Sequence, residues 1–423
     1  MKYHKTTLPN GLRVITVPAK GNPSAMVLVM VETGSNYETK AQNGLSHFLE
    51  HMCFKGTTLR PSSSQIAKEL DALGAANNAF TGNEYTGYYA KASKKHFSEL
   101  FEIISDLYLN PTLPEADLEK ERGVILEEIN MYEDLPQSKV WFVLAELMYG
   151  DAPAGRPILG PRDNIKKFTR KDFVNYRNAH YIASKTLVVV AGDVSEKQVL
   201  SEVKKHFRDI PKGKKLTKLA VKVKQSSPKL LVQHKKSDQA HMVMAFHSFG
   251  AKDKRSVAAT VLAEILGKGM SSRLFQKMRE ELGACYYVRA GHDQYTDHGL
   301  LTIATGINAS RAEEVTKVLL EECQKLIAIP VGHEELEKAK EHCIGHMYMG
   351  LETTDALAEF YAVEEVVSGK LKNVAEIERE IRKVSAKEVM RVAKDIFRNN
   401  NLNLAIVGDV KGEKKIKKVI TLK

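Results

Sequence analysis

The sequence predicts a mixed α+β fold made of two homologous domains, and three observations carry that prediction. Apolar runs of strand length alternate with longer stretches of helical period. Near the middle the chain turns lysine-rich, with Lys212, Gly213, Lys214, Lys215, Lys218, Lys222, Lys224, Ser226 and Ser227, the composition of a connecting segment. Short motifs from the first half then return in the second at nearly constant spacing.

Taken in order, Pro9-Asn10-Gly11 reads as a turn opening a strand over 12–17, and 26–32 reads as a second strand. A short helix over 44–54 follows, with Ser46 near its start, and another helix over 64–73. Strands over 75–81 and 86–92 lead into long helices over 95–109 and 115–132. The valine-rich run 187–191 is a strand ending at Gly192-Asp193, and 195–207 is a helix. That strand, ending Gly192-Asp193-Val194, returns as the one ending Gly408-Asp409-Val410 at an offset of 216. Leu118-Glu119-Lys120 returns as Leu336-Glu337-Lys338 at 218, and Lys55-Gly56 as Lys268-Gly269 at 213. Three matches in order indicate a duplicated domain of roughly 200 residues. The expected boundaries are 1–211 for the first domain, 212–228 for a basic linker and 229–423 for the second.

Composition narrows the function. The 423 residues are 43% hydrophobic and 27% charged, which suits soluble globular domains of sizeable core. The net charge of +11 is spread along the chain. With no zinc-finger spacing or aromatic RNA-binding motif beside it, no nucleic-acid partner is expected. No apolar run reaches membrane-spanning length, so no membrane association is expected. Cys53, Cys285, Cys323 and Cys343 are too scattered for a ligand or redox pair and read as reduced thiols. The N-terminal residues run directly into the first turn without a targeting pattern, which points to the cytoplasm, most simply that of a prokaryote.

The chemistry concentrates in His47-Phe48-Leu49-Glu50-His51. On a helix, residues four apart share a face, so His47 and His51 can address one cation with Glu50 beside them. Two imidazoles and a carboxylate suit zinc, with one position left for water. Glu128, on the helix over 115–132, is the best candidate for the third ligand, and Glu121 lies two turns earlier on the same face. Carrying His47 and His51 forward by 213 lands on Thr260 and Glu264, so the second half does not rebuild the motif. His342 and His346 repeat the four-residue spacing without a carboxylate at the matching place and read as a plain exposed helix. Cys53 turns away from His51 on the helix and reads as packing.

These residues resemble the inverzincin metallopeptidases, the family of pitrilysin, insulin-degrading enzyme and mitochondrial processing peptidase. The likeness runs from Leu8-Pro9-Asn10-Gly11-Leu12 through His47-Phe48-Leu49-Glu50-His51-Met52 and Phe54-Lys55-Gly56-Thr57. It continues in Asn78-Ala79-Phe80-Thr81, in the segment from Glu121 to Glu128 and in Gly155-Arg156-Pro157-Ile158-Leu159-Gly160. In the second half it takes in Ser271-Ser272-Arg273-Leu274-Phe275, Arg279 and Tyr286. It is closest to short bacterial members similar to the processing peptidase. The resemblance implies a duplicated α/β roll in which each domain is a mostly antiparallel sheet with helices packed on it. It implies one zinc ion per chain on His47, His51 and Glu128, with Glu121 supporting and Glu50 as general base. It further implies that Asn78, Ala79 and Phe80 form the edge strand that grips substrate, and that Arg279 and Tyr286 hold the scissile carbonyl.

The expected function is that of a zinc metalloendopeptidase acting on flexible peptides or unfolded segments. In relatives one subunit's metal half is completed by a partner's second half, so a homodimer with composite sites is expected. Two alternatives share the fold: a non-catalytic scaffold subunit, and a peptidase dedicated to targeting peptides. The basic pI of about 9.2 does not favour the latter, since a chamber for basic presequences should be acidic.

Overall fold

A computed structural model describes residues 2–422. Met1 and Lys423, the ends of the expected domains, lie outside the described residues. The chain divides into two compact units. The first comprises the chain up to Ile129, Pro157–Leu219 and Met349–Asn373; the second comprises Asn130–Arg156, Ala220–Tyr348 and the chain from Val374 onward.

The first unit is built on a six-stranded sheet. Its strands are β1 (His4–Thr7), β2 (Arg13–Pro18), β3 (Ser24–Val31), β4 (Ala76–Thr81), β5 (Thr86–Ser93) and β6 (Thr186–Gly192), in the order β1-β2-β6-β3-β5-β4. All neighbours are antiparallel except β2 and β6. Its helices include α1 (Leu45–Cys53), α2 (Ser63–Ala72), α3 (Phe97–Leu109), α4 (Glu115–Asp134), which continues into the second unit, and, beyond α5 (Pro136–Tyr149) of that unit, α6 (Arg162–Ile165), α7 (Arg170–His180) and α8 (Glu196–His206). The 187–191 run lacks period-two alternation because β6 is buried along its whole length, as strands covered on both faces are. Helix α3 packs on β3 and β5, while a helix of the far half, Thr354–Val363, packs on β2, β3 and β6.

The second unit repeats the plan. Strands β7 (Lys229–His234), β8 (Gln239–Ser248), β9 (Cys285–Gln294), β10 (Gly299–Asn308) and β11 (Leu402–Gly408) form a sheet in the order β7-β11-β8-β10-β9, with β7 and β11 the parallel pair. Each strand has a counterpart at the same place in the first sheet, and among the described residues β1 alone has none. Helix α9 (Ser256–Gly267) and α10 (Ala312–Ala328) join one face, where Ala240, Met242, Met244 and Phe246 of β8 are buried. The alternate residues Val243 and Ala245 meet Val140, Val143, Leu144 and Met148 of α5 on the opposite face. Helix α11 (His333–Met349) precedes α12, the Thr354–Val363 helix that serves the first unit. Residues 212–228 contain neither helix nor strand.

The expected boundaries cut the chain into contiguous halves, whereas the compact units exchange 130–156 and 349–373. The exchanged helices are themselves a repeated pair, since Pro136 and Thr354 begin α5 and α12 at the 218 offset found above.

Candidate metal centre

Helix α1 is set in place by its N-terminal turn. Gly44 takes a left-handed φ of 99° there, and the free amides of Gly44 and Ser46 donate to the buried Glu38 carboxylate at 2.9 and 2.6 Å. A carboxylate at a helix N-terminus also meets the positive end of the helix dipole. Ser46, expected near the helix start, instead bonds the Tyr176 hydroxyl at 2.7 Å. A side chain on Gly44 would collide with Leu159 O and Gly160 Cα, at 2.8 and 2.9 Å. The Pro157–Gly160 stretch of the family-like segment therefore works as a backbone seat for α1.

On α1, the rings of His47 and His51 lie 4.6 Å apart. The Nε2 atoms of His47 and His51 stand 3.6 and 3.7 Å from Glu128 Oε2, which α4 brings opposite them. These separations are too long for hydrogen bonds. They are slightly longer than the roughly 3.3–3.5 Å that two ligands of one tetrahedral ion keep between them for bonds near 2 Å, a difference that small side-chain shifts close. The buried His47 Nδ1 has no hydrogen-bond partner among the described residues. Burial, aided by His51, pushes the His47 pKa down to about 3, so this imidazole is neutral and able to donate a lone pair. The three residues fit a zinc ion.

A supporting shell surrounds them. His51 Nδ1 meets Glu121 Oε1 at 2.8 Å, and the other Glu121 oxygen takes Lys55 Nζ at 2.5 Å. Burial pushes the Glu121 carboxyl up, but its bonds to His51 and Lys55 outweigh that and hold it below the usual range. Glu50 sits between the two histidines in sequence, and its Oε2 accepts from Thr81 Oγ1 at 2.5 Å. Burial raises the Glu50 carboxyl above its ordinary value, with the Thr81 bond working the other way. Burial also raises Glu128. Cys53 is buried against the Tyr88 hydroxyl and stands outside the cluster.

Strand β4 ends at Thr81 and forms the edge of the first sheet, bonded there to β5. Asn78 is exposed and Ala79 and Phe80 are half-buried. The Phe80 ring lies over Gly87 of β5, where an added Cβ would sit 2.4 Å from it, so this side chain packs on its own sheet. In the second unit, Arg279 donates to Tyr286 O at 3.2 Å, and its guanidinium lies over the rings of Phe275 and Tyr286, at 5.0 and 5.3 Å. The Tyr286 side chain is 77% exposed. His342 departs from the expected plain exposed helix: it is half-buried and bonds the buried Glu264, while His346 is exposed. Glu264 is the residue standing at the repeat position of His51.

Sequence reasoning missed Lys55 and Thr81 as partners of Glu121 and Glu50. Lys55, four residues past His51, carried a helical-spacing signal. Thr81 carried none beyond its place at the end of the family-like edge strand.

The model of the insulinase family of peptidases, M16, matches residues 13–162, and that of the M16 inactive domain matches 167–343. An uncharacterized zinc protease of Bacillus subtilis is 34% identical over 92% of this chain and 95% of its own length. Another, of Streptomyces coelicolor, is 32% identical over 96% and 90%. Among solved structures, a protease from Helicobacter pylori superposes with a TM-score of 0.90 at 24% identity, covering 96% of this chain and 99% of that one. With relatives this similar along nearly its whole length, the chain belongs to peptidase family M16, the insulinase family.

Proposed function

We propose that this chain is a zinc metalloendopeptidase that hydrolyses flexible peptides. The observation that carries the reading is the convergence of His47, His51 and Glu128 close to zinc-ligand separations with a half-buried carboxylate, Glu50, beside them. A zinc ion held there would supply Lewis acidity toward a scissile carbonyl and an attacking water. His47, His51 and Glu128 would hold it, and Glu121 fixes the His51 ring so that its Nε2 faces inward. Glu50, made more basic by burial, takes the proton of the attacking water and returns it to the leaving nitrogen as the C–N bond breaks. The edge of β4 at Asn78, Ala79 and Phe80 receives the substrate as an added strand, so main-chain bonds give most of the affinity. Arg279 and Tyr286 donate where negative charge develops on the carbonyl oxygen, with a second copy of the chain completing the site.

The test is zinc content and peptide cleavage with and without chelator, with Glu50→Gln as control. The variant should keep its zinc and lose turnover by roughly 10²–10⁴-fold, and the active species should run as a dimer on a sizing column. A scaffold subunit of this fold would give no chelator-sensitive turnover, and full activity in a stable monomer would remove the composite site. Mass spectrometry of products from a mixed peptide library would name the substrate class.

A further inference from the structure

The hydrogen bond between Thr81 and Glu50 joins two elements with different tasks. Glu50 belongs to α1, and Thr81 is the last residue of the edge strand β4. The bond is short, 2.5 Å from Thr81 Oγ1 to Glu50 Oε2, and half-buried. A hydroxyl can donate only one proton, so Thr81 commits its single donor to this carboxylate.

The strand's geometry fixes which way each group faces. Gly82 N donates to Tyr85 O at 2.8 Å, closing the β4–β5 hairpin. In an antiparallel pair the inward-bonding residues alternate. Gly82, Phe80 and Asn78 therefore turn their amides toward β5, and Thr81, Ala79 and Asn77 turn theirs to the free edge. Consistent with this, the Ala79 amide is met by the Asn78 side chain, 2.9 Å from its Oδ1, rather than by a strand. Side chains alternate between faces as well, so the Thr81 side chain that reaches Glu50 shares a face with Ala79, whose amide addresses the edge. Threonine is β-branched and stiff about χ1, so its hydroxyl direction follows the strand's backbone.

We propose that Thr81 is a positioning residue: its hydroxyl fixes one oxygen of the general base to the substrate-gripping strand, leaving the other oxygen to handle the proton. The strand that registers the peptide and the carboxylate that acts on it thereby move as one piece. The proposal rests on the peptidase reading for its catalytic meaning, but the positioning itself has an independent readout. A misplaced catalytic group costs on the order of a hundredfold in rate for about 1 Å of displacement.

Thr81→Val removes the donor at nearly constant volume, and Thr81→Ser restores it. In zinc-loaded protein the valine variant should lose about a hundredfold in kcat with KM and zinc content unchanged, and the serine variant should recover to within about threefold of the parent. Crystal structures of both variants without metal should show the Glu50 carboxylate displaced in Thr81→Val and returned in Thr81→Ser. An unmoved Glu50 in Thr81→Val overturns the proposal whether or not any peptide is cleaved. So does a loss that appears in KM alone, or one that Thr81→Ser fails to restore. A parent chain without chelator-sensitive turnover, but whose Glu50 shifts in Thr81→Val, would sink the peptidase reading and keep the positioning role.

Discussion

At the scale of single residues, the support of His51 is a chain of charges from Lys55 through Glu121 to the imidazole, with links of 2.5 and 2.8 Å. A carboxylate accepting from the far ring nitrogen sets the tautomer and makes the ligating nitrogen a better donor. Lys55 keeps that carboxylate ionised in a partly buried place. Glu121→Gln and Lys55→Met should each weaken zinc binding by about 10–100-fold without unfolding the chain, read by competition with a metal-chelating dye. Parent-like affinity in both would remove the supporting role. Much of this centre was legible beforehand. His47, Glu50 and His51 follow from helical spacing alone, and Glu121 from its seven-residue distance to Glu128. Thr81 was not, because a bond across two elements leaves no periodic mark on either, and Lys55, though at helical spacing from His51, bears nothing that names Glu121 of another helix as its partner.

At the scale of elements, α1, the helix of His47 and His51, is short and carries a glycine where a side chain would normally cap it. Nine residues are too few to hold a helix by propensity, so its position depends on Glu38 at its N-terminus and on the Gly44–Gly160 contact. Gly44→Ala forces an L-residue to a φ of 99°, costing about 1–2 kcal/mol. It also drives a methyl into Leu159 O and Gly160 Cα, at 2.8 and 2.9 Å. The expected result is a melting temperature lower by several degrees and weaker zinc retention, since α1 must shift to relieve the clash. Gly44→Ala with parent-like melting and zinc content would show that the seat is not rigid. The strand and helix assignments made from periodicity agree with the structure to within one or two residues at most ends, while the exchange of α5 and α12 was hidden. The pattern Val140, Val143, Leu144, Met148 announces a buried face. It does not say which of two similar sheets will cover it, and duplication makes the two sheets nearly equivalent in pattern.

At the scale of the whole molecule, both units bury histidines whose neutral form is the stable one. Burial beside the Lys185 ammonium, 3.1 Å away, takes His180 down to about 4. Burial also brings His247, which packs edge-on to Tyr149, and His292, between Ser248 and Thr260, to about 4. In the unfolded chain each takes up a proton near pH 6.5, whereas in the folded chain each does so only near pH 4. Between those values the unfolded state holds more protons, so stability rises with pH across the window and is lost as pH falls from about 6.5 to about 4. Carboxylates held low by ion pairs, such as Glu121 and Asp355, add their own loss at still lower pH. Thermal melts of chelated protein should therefore fall steadily below pH 6.5, and His292→Asn, which keeps a polar group between the two hydroxyls, should reduce the slope. A melting temperature constant from pH 6.5 to 4.5 would mean that these histidines protonate in place without cost. The zinc-loaded protein should fall more steeply over the same range, because protons compete with a bound metal for its ligands, the carboxyl of Glu128 raised by burial among them, and withdraw the stabilisation that binding confers.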